Sequence, residues 1–131
     1  MSAAHYVLLL IAVLMAGEAL WAIASPIAVR DRVRRMLDEA GGGVGAWRFV
    51  FWGFALLMWL FAWFGQQWAH RALFLIGVFF MATGFLAHRP SFLESWYGLF
   101  LGRRSPAGIR LIYLGELVLA AGFAWIALTG Q

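Results

Sequence analysis

The fold of this chain is decided first by residues 4–25, which read AHYVLLLIAVLMAGEALWAIAS and contain one charged residue, Glu18. A helix needs about 20 consecutive apolar residues to cross a hydrocarbon core about 30 Å thick, and this stretch has that length. The segment has to be helical because backbone N–H and C=O groups find no water to bond inside lipid. It therefore predicts a membrane-spanning helix.

Three further apolar stretches repeat the pattern, at residues 47–65, 68–87 and 109–129. The chain of 131 residues is 64% hydrophobic and 12% charged, whereas soluble domains are about half apolar and about a quarter charged. So short a soluble domain would have too little polar surface to cover itself. The alternation typical of barrel strands is absent. We predict an all-α integral membrane protein with four transmembrane helices.

The first stretch also has a feature of a cleaved signal peptide, since residues 22–24 form a small-residue site before Ser25. However, no basic residue precedes the apolar run, and Glu18 interrupts it. We therefore expect a retained helix.

The arginines predict the orientation. Nine of the ten basic residues lie in or beside the first and third loops: Arg30, Arg32, Arg34, Arg35, Arg48, Arg89, Arg103, Arg104 and Arg110. The positive-inside rule then places these two loops in the cytoplasm and both termini outside. A composition rich in Ala, Gly, Arg and Trp, without Lys or Asn, is typical of a GC-rich genome. The expected location is a bacterial inner membrane.

Both arginine-bearing loops have helical, amphipathic patterns. Residues 27–39 place Val29, Val33 and Met36 on one face, and residues 91–101 form an apolar stripe that includes Trp96. We predict two short interfacial helices; the alternative is ordinary connecting turns. The basic side chains expected to contact lipid headgroups are Arg34, Arg35, Arg103 and Arg104.

The chain also reads as two copies of one unit, residues 1–66 and 67–131. Pro26 corresponds to Pro90, and Arg48, Gly53, Leu57 and residues 61–63 recur as Arg110, Gly115, Leu119 and residues 123–125. We predict an internal repeat of two tandem helical hairpins in one orientation, related by an axis along the membrane normal. Glu18 and Glu116 are not equivalent in this alignment.

These two glutamates, each inside a predicted span, are the strongest candidates for function. An ionisable group in the membrane core is costly, and by default marks a functional site. One hypothesis is a pair that binds protons or a cation. A second is a structural role, with each carboxyl protonated or paired with Arg48, Arg110 or a backbone carbonyl. A third is contact with an arginine of a neighbouring subunit.

Metal, cofactor and catalytic sites are not predicted. The chain has no cysteine, which excludes disulfides and thiolate ligands. His70 and His88 bracket one span and are too far apart to bind one metal. His5 and His70 share the outer side, but two ligands make no metal site. We expect no enzyme activity, and no nucleic-acid binding because the basic residues occupy short loops between spans.

The sequence allows more than one role for its tryptophans and for the glycines in the spans. Trp21, Trp52 and Trp59 lie deep and Trp96 near an interface, where they would contact a partner, lipid or a pigment-like ligand, or fill space between helices. Six glycines would allow close helix approach: Gly17, Gly53, Gly77, Gly84, Gly115 and Gly122.

The first functional hypothesis is a non-enzymatic accessory subunit of a larger bacterial inner-membrane complex, respiratory, photosynthetic, secretory or transport. Few polar groups in the spans and a large apolar, aromatic surface favour it. The alternatives are a small homo-oligomeric transporter or channel that uses Glu18 and Glu116, and a lipid-organising scaffold. The expected partners are lipids and other membrane subunits or copies of this chain.

Overall fold

A computed structural model describes residues 2–39, 44–87, 90–102 and 104–131, and this part of the chain is helical, without a β-strand. The helices are α1 (Ala3–Ala24), α2 (Pro26–Glu39), α3 (Val44–Ala62), α4 (Trp68–Ala87), α5 (Pro90–Tyr97) and α6 (Pro106–Thr129). A π-helical turn at Gly98–Gly102 follows α5.

Three of these helices are long and apolar enough to cross a membrane: α1, residues Trp68–Leu86 of α4, and α6. The predicted all-α class is confirmed, and so is its compatibility with a membrane. The apolar part of α3 in the described chain, Arg48–Ala62, is shorter. Four spans are therefore not confirmed.

The start of α6 differs from the predicted one. The helix begins at Pro106 rather than at Ile109, because Ser105 caps it: the Ser105 Oγ accepts a hydrogen bond from the Gly108 backbone N–H at 3.2 Å. A serine N-cap followed by proline is a strong helix start. Gly130 ends the helix with a φ of 73°, a left-handed conformation that glycine adopts without strain.

Both predicted loop helices are present, as α2 and α5. Ser25 alone separates α1 from α2, and its φ of −139° and ψ of 68° turn the chain between them. Val29 of α2 is buried with Ala22 and Ile109, from α1 and α6. The apolar face of α2 therefore packs on the ends of the long helices.

The long helices pair differently from two tandem hairpins. α1 packs most extensively against α6, and α3 against α4, whereas α1 and α3 touch little. Both close pairs are antiparallel: Arg110 near the start of α6 bonds Ile23 near the end of α1, and the turn at residues 63–67 joins α3 to α4. The predicted arrangement of hairpins is not confirmed.

Two apolar cores hold the helices together. The first draws on all four long helices: Ala4, Leu8, Met58, Ala69, Ala72, Leu73 and Ala127. It lies at the turn end, which we define as the end with the α3–α4 turn and residues 2 and 131. The second core lies at the opposite end and joins α1 and α6 to α2 and the π-helical turn: Ala19, Ala22, Val29, Leu101, Ile109 and Tyr113. The four long helices thus share a core at the turn end.

Candidate functional site

The packing of α1 against α6 brings Glu18 and Glu116 together, close enough for their carboxyl groups to interact electrostatically. Glu18 is exposed and Glu116 is half-buried. Two ionised carboxylates at this position would repel each other, and neither has a donor to offer the other. The site is a pair of carboxyl groups at the contact between two helices.

Tyr113 is a third member of this site. Its side chain is 8% exposed, and it lies close enough to Glu18 and Glu116 to interact electrostatically with both. A phenol can donate a hydrogen bond to a carboxylate. The sequence interpretation missed Tyr113; its position three residues before Glu116, on the same helical face, is the signal that could have found it.

A groove of about 300 Å³ between α1 and α2 leads to Glu18, and Arg32 and Trp21 line it. The Arg32 guanidinium carbon lies 5.4 Å from the centre of the Trp21 ring, a cation–π contact. Arg32 was not singled out from the sequence. Trp21 itself is 41% exposed. The groove therefore places a cation and an acid on one surface.

The arginines expected to pair with the glutamates bind elsewhere. Among the described residues one ion pair is found, between Arg30 and Asp31 at 4.0 Å. Arg110 donates from Nε to the backbone oxygen of Ile23 at 3.0 Å, which ties α6 to α1. The carboxyl pair thus has no basic partner in the part of the chain that the structure describes.

Arg48 is held by aromatic rings instead of an acid. Its guanidinium lies 4.9 Å from the centre of the Phe49 ring and 5.9 Å from that of Trp52. The Arg48 Nε has no hydrogen-bond partner.

Two of the four tryptophans singled out fill the α3–α4 contact. Trp52 packs against Gly84, and Trp59 against Gly77. The Trp59 Nε1 also donates to the backbone oxygen of Phe74 at 3.1 Å. These two rings therefore serve packing within the chain. Trp96 lies on α5 and is 41% exposed.

The loop arginines occupy different positions. Arg34 lies over the Tyr97 ring, 5.5 Å from its centre, and so connects α2 to α5. The Arg104 Nε donates to the backbone oxygen of Leu99 at 3.1 Å, and Arg35 is exposed. Arg103 lies outside the described residues.

A separate polar cluster lies at the turn end, where His5 and His70 meet with ring centres 6.1 Å apart. His5 is hydrogen-bonded on both ring nitrogens, to the Ser2 Oγ at 2.7 Å and to the backbone oxygen of Gln131 at 3.1 Å. Within the described ranges, no group of three or more His, Asp or Glu side chains could hold a metal ion. This cluster joins the first and last residues of the bundle.

No protein-family model, curated protein or solved structure matches this chain.

Proposed function

We propose that this protein is a non-enzymatic subunit of a larger membrane assembly, and that the Glu18–Glu116 pair contacts polar groups of a neighbouring chain. The observation that carries the proposal is the exposure of Glu18 beside Glu116 on two apolar helices. An acidic side chain at the centre of a membrane helix costs about 2.5–3.5 kcal/mol on insertion scales. An exposed pair facing hydrocarbon would carry this cost, and a partner's donors would remove it.

The kind of partner follows from the chemistry of the pair. The two carboxyl groups offer oxygen lone pairs as hydrogen-bond acceptors. Hydroxyl, amide or guanidinium groups on a partner helix supply the matching donors, and such interhelical bonds contribute about 0.6–2 kcal/mol in membranes. The expected docking surface is therefore the exposed side of α1 and α6 around Glu18.

The membrane setting is part of the same proposal: four spans in a bacterial inner membrane, with α2 and α5 on the cytoplasmic side. The length of α3, 19 residues, supports a fourth span because it corresponds to about 28 Å at about 1.5 Å per residue. The distribution of arginines supports the orientation.

Single-cysteine labelling tests this topology cleanly because the chain has no cysteine of its own. We expect a membrane-impermeant maleimide to label Gln66→Cys in intact cells, and Asp31→Cys after the membrane is opened. Asp31 is a suitable site because its side chain is 63% exposed. The reverse pattern would contradict the orientation. Labelling of both from one side would show that α3 does not span.

The assembly is tested by gentle extraction of the tagged protein from its native membrane, followed by size and composition analysis. We expect a stoichiometric set of unrelated subunits. The double variant Glu18→Leu, Glu116→Leu should lose these subunits, because it removes the polar contact. The matched control is Leu56→Ala with Leu60→Ala, two exposed positions on α3, away from the docking surface. Extraction of the wild type as a monomer without partners would contradict the proposal.

The second candidate is a small homo-oligomeric transporter or channel. The proximity of the two carboxyl groups and the groove that Glu18 and Arg32 both line favour it. In that case Glu18→Gln should abolish proton- or cation-dependent flux in proteoliposomes while the fold is retained. Unchanged flux in the variant, or no flux with the parent protein, would remove the transporter hypothesis.

A further inference from the structure

A second candidate site lies at the turn end of the molecule. A pocket of about 680 Å³ opens where the α3–α4 turn meets both helices, and Trp63, Trp68, His70 and Arg71 line it. This volume is in the range of about 300–1,000 Å³ typical of small-molecule sites. The proposed docking surface around Glu18 does not include it.

The pocket is polar at one end and apolar at the other. Gln66, His70 and Arg71 lie at the turn, whereas Phe74 and Leu75 follow on α4. At about 1.5 Å per residue these two lie roughly 5–8 Å deeper along the helix than the polar residues. Such a gradient fits an amphiphile whose head lies at the turn and whose chain follows α4.

The charge of the pocket favours an anionic head. Arg71 is the basic residue that lies away from the two arginine-rich loops, and no acidic residue occurs between Glu39 and Glu94. Its guanidinium lies 5.0 Å from the centre of the Trp68 ring, which leaves its edge available to a ligand. Guanidinium groups bind phosphate oxygens through paired, charge-assisted hydrogen bonds.

His70 adds a buried polar group without a partner. It lines the pocket, its side chain is 5% exposed, and its Nδ1 has no hydrogen-bond partner. The Nδ1 is itself buried, so a ligand in the pocket would lie beside the ring rather than on this atom. Gly65 packs on the His70 ring so closely that an added Cβ would lie 2.5 Å from the ring's Cε1. The ring is therefore held in place beside Arg71.

We propose that this pocket binds an anionic phospholipid, with its phosphate at Arg71 and an acyl chain along Trp59 and Phe74. Trp59 and Phe74 form the apolar wall, stacked with ring centres 6.1 Å apart. The membrane supplies this ligand at the level where tryptophans such as Trp63 and Trp68 are enriched.

Quenching of tryptophan fluorescence tests the proposal in mixed micelles, since Trp59, Trp63 and Trp68 line the site. The probes are phosphatidylglycerol and phosphatidylcholine with brominated acyl chains. We expect the wild type to prefer phosphatidylglycerol, and Arg71→Gln to lower that preference about tenfold, the equivalent of one charge-assisted hydrogen bond of about 1.4 kcal/mol. Arg30→Gln, on α2 at the opposite end of the molecule, is the matched control and should leave the preference unchanged.

Two further arms complete the test. Leu75→Phe narrows the apolar part while it keeps Arg71 and adds no tryptophan, so binding of phosphatidylglycerol should fall without a change in fold. Inorganic phosphate added alone should not displace the lipid; full displacement would assign the site to a free anion instead. Equal affinity for the two lipids in the wild type would overturn the proposal.

Discussion

Gly77→Ala is expected to destabilise the protein by about 1–3 kcal/mol, the range typical of overpacked interiors. An alanine Cβ at this position would lie 2.5 Å from Cδ1 and Nε1 of Trp59 and 3.2 Å from the backbone oxygen of Ala55. The Trp59 ring cannot move freely, because its Nε1 donates to the backbone oxygen of Phe74 and its ring stacks on Phe74. The variant therefore forces α3 and α4 apart or breaks this hydrogen bond.

A smaller loss of stability is expected for Gly84→Ala, where the added Cβ would lie 2.5 Å from Cδ1 and Nε1 of Trp52. The Nε1 of Trp52 has no hydrogen-bond partner, so its ring can move without breaking a hydrogen bond. The double variant should be destabilised more than either single variant, because both contacts lie between α3 and α4.

The matched controls are Gly53→Ala on α3 and Gly115→Ala on α6, where an added Cβ has nothing within 4 Å. Alanine is favoured over glycine in a helix by about 0.8–1 kcal/mol, so these variants should be stabilised. Unfolding in detergent, followed by circular dichroism, measures the difference. Similar stabilities for the Gly77 and Gly53 variants would contradict the observed packing of Trp59 on Gly77.

A chain divided between Gln66 and Gln67 is expected to reassemble from its two halves, while neither half is stable alone. The reason is the pairing of helices: the main partner of α1 is α6, and the main partner of α3 is α4. Division at this turn leaves every long helix with its main partner in the other half. The contacts that remain inside each half, α1 with α3 and α4 with α6, are few.

Co-expression of residues 1–66 and 67–131, each with its own affinity tag, provides the measurement. We expect the halves to co-purify and each half to be degraded when expressed alone. Gly77→Ala in the second half should lower recovery of the complex, whereas Gly115→Ala should not. Two halves that accumulate separately as stable hairpins would contradict the pairing and favour tandem hairpins instead.

The same pairing supports the proposed duplication. Leu8 and Leu73 begin the matching runs Leu-Leu-Leu-Ile and Leu-Phe-Leu-Ile of the two predicted units, and Ala4 and Ala69 lie four residues before them. All four are buried in the core at the turn end. Each unit's first long helix packs against the second long helix of the other unit. We propose that the two units arose by duplication and that the long helices of one unit pack against those of the other.

The sequence by itself determined the helical class and most of the element boundaries. Apolar runs of about 20 residues require helix in lipid, whatever their neighbours are. The amphipathic periods of α2 and α5 are equally local, and both helices were predicted. The predicted start of α6 lay three residues too far along the chain. It was placed at the first residue of the apolar run, Ile109, whereas the Ser105 cap begins the helix at Pro106.

The tertiary structure alone decided which helices pair, and with them the site. Lipid tails are as apolar as leucine, so hydropathy does not select partners; close packing and interhelical hydrogen bonds do. The sequence indicated six glycines as sites of close helix approach. It did not indicate that the Trp59 ring packs on Gly77 and the Trp52 ring on Gly84. The sequence placed Glu18 and Glu116 in separate spans, and only the antiparallel contact of α1 with α6 brings their carboxyl groups together.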